Sequence, residues 1–78
     1  MKRIALIEAR GERNQAEIAR LCGVAQQTYS HWERGRITPP IQKMLVLEKV
    51  LGVPKERLFA DVFTDAKDRS ILNPTGTE

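Results

Sequence analysis

The chain has 78 residues, a single cysteine and a formal charge of +3. That length makes one small domain burying about 60% of its unfolded surface, and no separate effector-binding or catalytic domain is expected beside it. Cys22 alone excludes an intramolecular disulfide and fits a reducing interior such as the cytosol, and no apolar run approaches the roughly 18 residues of a membrane span. The start, Met1-Lys2-Arg3 followed by Ile4, Leu6 and Ile7, is broken by Glu8 and Arg10 and does not read as a secretory leader. Charge is unevenly placed. Through Leu58, 11 Lys and Arg oppose 6 Glu, giving +5; from Phe59 onward, Lys67 and Arg69 face Asp61, Asp65, Asp68 and Glu78, giving −2. A basic body attracts polyanions, and nucleic acid is the commonest of them.

In chain order, the sequence punctuates itself into short helices, and no stretch alternates for long like a strand. The first helix is expected over Lys2 to Arg10, with Ile4 and Ile7 on one side and a stop at Gly11. The second is the best marked: Asn14 is a good N-cap, Glu17 follows three residues later, and Gly23 breaks the run. A third helix follows Val24-Ala25 and ends at Gly35, which suits a left-handed position after a helix. Thr38-Pro39-Pro40 makes an extended turn and launches a fourth, with Ile41, Met44, Leu45, Leu47 and Leu51 at helical spacing and an end at Gly52. Pro54 opens a last short helix through Leu58, and beyond Phe63 the composition turns polar. The expected fold is all-α: a compact five-helix domain over residues 1–63, with residues 64–78 as a polar, flexible tail.

The second and third helices carry the functional signal. A helix-turn-helix needs two helices crossing steeply, the second projecting from the surface. Ala19 is small where the helices would cross, Gly23 stands in the turn, and Ile18, Cys22, Val24, Tyr29 and Trp32 are apolar where side chains must face inward. At about 100° per residue, Gln26, Gln27, Ser30, His31 and Arg34 share an arc of roughly 140°, with Tyr29 and Trp32 opposite. One face is apolar bulk. The other offers amide, hydroxyl, imidazole and guanidinium groups, which hydrogen-bond base edges in a major groove; glutamine suits adenine. Tyr29 and Trp32 are expected in the core rather than stacked on bases, and Cys22 as a small buried filler.

From Asn14 to Leu58, 45 of the 78 residues, the sequence resembles the Cro/repressor helix-turn-helix proteins of the XRE family. Asn14-Gln15-Ala16-Glu17-Ile18-Ala19, Gly23, Gln26-Gln27-Thr28, Trp32-Glu33-Arg34-Gly35, a proline at 39 or 40, and Leu51-Gly52-Val53 with Leu58 follow the family's order. The first and third of these motifs look most like lambdoid phage repressors. The resemblance implies base contacts from Gln26, Gln27 and His31 and a phosphate contact from Gln15; position on the helix adds Ser30 to the base-contacting set, and Arg34 and Arg36, which border Gly35, are expected with Lys43 at the DNA backbone. His31 departs from the amide found in the closest relatives, while imidazole still donates to guanine or phosphate. The family often pairs an arginine of its first helix with the glutamate at Glu33. An ungapped count puts Glu8 at that place, so Arg10 or Arg13 takes over, or Glu33 pairs elsewhere. Ile41-Gln42 stands where a phosphate-contacting cation is common, with Lys43 the nearest substitute.

These features imply a bacterial or phage-encoded, cytoplasmic and nucleoid-associated regulator. It would repress transcription by binding a near-palindromic operator as a homodimer, without cofactor, metal or membrane. One His, one Cys and no Gly-rich phosphate loop assemble no catalytic or metal constellation, so no enzyme is expected. Leu58, Phe59, Val62 and Phe63 form an apolar cluster that is either a dimer patch, the favoured reading, or a cap over the core. The alternative from another class is an antitoxin or protein-interaction adaptor that touches DNA secondarily, using the acidic segment from Asp61 to Glu78.

Overall fold

The computed structural model describes residues 1–63. Five helices follow one another: α1 (Ile4–Arg10), α2 (Gln15–Cys22), α3 (Gln26–Glu33), α4 (Ile41–Leu51) and α5 (Lys55–Leu58). A sixth helical stretch begins at residue 60 and is still helical at residue 63, the last one described. The flexible tail expected over residues 64–78 lies outside the described residues.

Local chemistry explains the α2–α3 corner. The Asn14 side chain accepts the Glu17 N–H at 2.7 Å and so satisfies one of the free donors at the start of α2. At the other end Gly23 takes φ +72°, ψ +32°, and the Val24 N–H closes the turn on the Ala19 carbonyl at 3.0 Å. An L-side chain is strained there, whereas glycine is not. Lys43 reaches over from α4 and donates to the Cys22 carbonyl at 2.8 Å, a cation at a helix C-terminus where the macrodipole favours it. α2 and α3 make the most extensive helix pair, and α4 closes over α2.

The core is built where the apolar stripes of the helices converge. Leu6, Ile18, Ala19, Cys22, Tyr29, Trp32, Met44, Leu47, Leu58 and Phe59 form it, with Ala9, Val24, Val46, Val50, Leu51, Val53, Val62 and Phe63 packed around it. Tyr29 and Trp32 meet edge to face with centroids 5.8 Å apart, which anchors the inner side of α3.

The packing corrects one expectation and adds detail to two others. α1 starts at Ile4, with Arg3 as its N-cap residue, and turns Leu6 inward, leaving Ile4 exposed and Ile7 half-buried. On α4 only Met44 and Leu47 are buried, while Ile41 and Leu45 stay exposed. Leu58 and Phe59, expected in a dimer patch, are 1% and 0% exposed. Both lie under α1 and α4, which α5 contacts, so they belong to the core; Val62 and Phe63 remain half-buried at its edge.

Candidate nucleic-acid interface

α3 presents the expected division of faces. Tyr29, Trp32 and Glu33 are buried, Gln26, Gln27 and Arg34 are exposed, and Ser30 and His31 are half-buried between them. Gln15, Gln26, Gln27, Ser30, His31 and Arg34 line one open concavity, so the start of α2 and the outer face of α3 form a single polar surface. A neighbouring groove between α1, α2 and α3 adds Lys2, a cation that the sequence pattern did not single out. This face is therefore wide, polar and flanked by positive charge.

Beneath it lies a buried polar cluster centred on Glu33, which is 3% exposed. Arg10 grips the carboxylate with two nitrogens, Nε to Oε2 at 2.6 Å and Nη2 to Oε1 at 3.2 Å. Gln15 donates its amide to the same Oε1 at 2.8 Å. The open choice between Arg10 and Arg13 thus resolves to Arg10. Arg13 instead donates to the carbonyls of Ala9, Arg10 and Val50, holding the α1–α2 loop. Two-point guanidinium–carboxylate pairing is geometrically specific as well as strong, so α1, α2 and α3 are locked in one arrangement.

The cluster sets its own protonation. Burial alone would push the Glu33 carboxyl up, but the hydrogen bonds from Arg10 and Gln15, with the Tyr29 hydroxyl beside them, hold it below its ordinary 4.5. The same partner raises Arg10 above its ordinary value, chiefly through their hydrogen bond. Burial, then the neighbouring Glu33, pushes the Tyr29 phenol up. A carboxyl depressed in the folded state adds stability above its unfolded value and loses it as pH falls through the lower, folded one. Melting temperature followed between about pH 6 and pH 3 should therefore fall more steeply for the unaltered chain than for Glu33→Gln, the gap closing in acid. Parallel curves would remove Glu33 from the acid response.

The remaining candidates divide by engagement. Arg34 and Arg36 are exposed on either side of Gly35, whose φ is +74°. A Cβ on Gly35 would collide with the Met1 carbonyl, so the loop here needs glycine for space as well as for backbone angle. Gln15 and Lys43, both assigned to phosphate, already have intramolecular partners, Glu33 and the Cys22 carbonyl respectively. On the ring of His31, Nδ1 is buried without a hydrogen-bond partner among the described residues.

The helix-turn-helix family HTH_3, of the Cro/C1 or XRE type, matches over residues 6–58. The chain belongs to that family, a family of DNA-binding domains, and is a DNA-binding transcription regulator of the XRE type. No curated protein and no solved structure matches it. Among the described residues no helix is long and apolar enough to cross a membrane.

Proposed function

We propose that the chain is a repressor that reads a near-palindromic operator as a homodimer, placing α3 of each copy in successive major grooves about 34–36 Å apart. The observation that carries this reading is the shared surface of Gln15, Gln26, Gln27, Ser30, His31 and Arg34 above a rigid cluster. Residues 1–63 would form the DNA-binding unit. Gln26 and Gln27, exposed at the start of α3, are assigned to base edges, where an amide both donates to and accepts from adenine. Ser30 completes the row.

His31 is assigned the role of donor. A buried ring N–H without an acceptor is costly, so the proton of the neutral ring belongs on Nε2, and Nε2–H suits guanine N7 or O6. Arg34 and Arg36, with the Gln15 end of α2 and Lys43, would hold the backbone and set the register. Dimerisation is assigned to the edge that keeps Val62 and Phe63 half-buried. In the rival reading as an antitoxin or adaptor, the acidic segment would begin at Asp61, but that carboxylate is turned inward onto Arg3.

Gln26→Ala should weaken binding to a site enriched from random duplex DNA by about 1–3 kcal/mol and leave binding to unselected duplex nearly unchanged. Competition titrations of both duplexes at one salt concentration measure this. Equal losses on the two duplexes would remove Gln26 from base reading.

A further inference from the structure

Arg3 is, with Glu33, one of two charged residues buried among the described residues. Its side chain is 3% exposed. Nε faces Asp61 Oδ1 at 3.1 Å, and Nη2 donates to Asp61 Oδ2 at 3.1 Å and to Thr38 Oγ1 at 2.9 Å. Nη1 donates to two carbonyls, Trp32 at 2.8 Å and Ile37 at 2.9 Å. The guanidinium lies 5.1 Å from the centre of the Phe59 ring, and the Arg3 N–H donates to the Glu33 carbonyl at 2.7 Å.

These partners have a pattern. Trp32 and Glu33 end α3, whereas Ile37 and Thr38 lie beyond Arg34-Gly35-Arg36. One planar fork therefore holds both ends of the loop that carries the two exposed arginines. Asp61 balances the buried charge, which a guanidinium out of water requires. A lysine, with a point charge in place of a rigid fork, has no way to hold the same four groups.

We propose that Arg3 is a positioning residue for DNA binding: it fixes the span from Trp32 to Thr38 so that Arg34 and Arg36 meet the DNA backbone in a preset geometry. This rests on assigning those two arginines to phosphate. A loop ordered before binding loses less freedom on binding, and that difference appears as affinity. Asp61, 58 residues away in sequence, makes the same geometry depend on the helical stretch after Phe59.

Random-sequence duplex DNA isolates the phosphate contribution, because sequence-independent affinity falls with salt in proportion to the phosphates neutralised. The probe is such a duplex, titrated over a range of salt with the unaltered chain, Arg3→Lys, Thr38→Val, and each of these carrying Arg34→Ala and Arg36→Ala. Circular dichroism reports folding in parallel. Arg3→Lys is expected to stay helical, bind roughly tenfold more weakly and lose up to about 2 from its log–log salt slope, at about 0.9 per phosphate. The paired alanines should then cost much less in the Arg3→Lys background than in the unaltered chain. An unchanged slope with fully additive losses would overturn the proposal.

Thr38 is exposed, so Thr38→Val leaves the core intact and carries the same test if Arg3→Lys does not fold. It should show coupling of the same sign and smaller size, and strict additivity would again overturn the proposal. Paired alanines that leave the unaltered slope untouched would overturn it together with the phosphate assignment. Equal affinity for selected and random duplexes would instead overturn only the base-reading assignment.

Discussion

Glu33→Ala should lower the melting temperature by about 15 °C, from a loss of about 3 kcal/mol in a domain of this size. The carboxylate is buried at 3% exposure and receives Arg10 through two nitrogens and Gln15 through one. Removing it deletes the charge that Arg10 faces and leaves that guanidinium, whose side chain is 19% exposed, with only part of its hydration restored. The Tyr29 hydroxyl, buried close by, loses its polar neighbour as well. Losing one partner of such a pair costs more than replacing both, so the double variant Arg10→Met, Glu33→Leu should recover much of the loss. Thermal denaturation followed by circular dichroism decides. A shift below about 5 °C would mean that the cluster is spectator to the fold.

Phe59→Ala is expected to cost about 3–5 kcal/mol, because it removes a fully buried ring and leaves a cavity in the core beside the Arg3 guanidinium. Its diagnostic property is independence from protein concentration. A residue of the monomer core destabilises by the same amount at every concentration, whereas a residue of a dimer interface shows a gap that widens as concentration rises. Melting of Phe59→Ala against the unaltered chain over a hundredfold dilution range separates the two roles. A widening gap would return Phe59 to the interface expected from sequence.

How far the fold could be read from sequence depended on whether the relevant signal was local. Asn14, Gly23 and Ala19 each meet a local demand of a cap, a turn or a helix crossing, and each does so in the structure. The division of α3 was equally legible, since helical spacing alone sends Tyr29 and Trp32 inward and Gln26 and Gln27 outward. Arg3 was not. Its partners are 29 to 58 residues away, and no periodicity marks a cation that will be buried by Trp32, Ile37, Thr38 and Asp61. Counting Asp61 with an acidic C-terminal segment hid the same pair from the other side.

Leu58 and Phe59 misled for a different reason. An apolar cluster near the end of a small domain has one composition whether it faces its own core or a partner, and only the packing of α1 and α4 against α5 decides. The partner of Glu33 was open because ungapped counting assumes a fixed α1–α2 loop. Here Arg10, at the last position of α1, reaches the carboxylate while Arg13 holds the loop. Gln15 and Lys43 show the same limit on the functional side: sequence gives their chemistry, and the fold supplies partners inside the protein.

Whether the outer face of α3 reads bases is tested by selection from random duplex DNA with the unaltered chain and with Gln26→Ala, Gln27→Ala. The unaltered chain should enrich one defined half-site, repeated in inverted order with centres about 10 base pairs apart. The substituted chain should lose preference at adjacent base pairs of that half-site while keeping the others, because each amide reads its own position. The same half-site recovered at full strength from both chains would contradict base reading by α3.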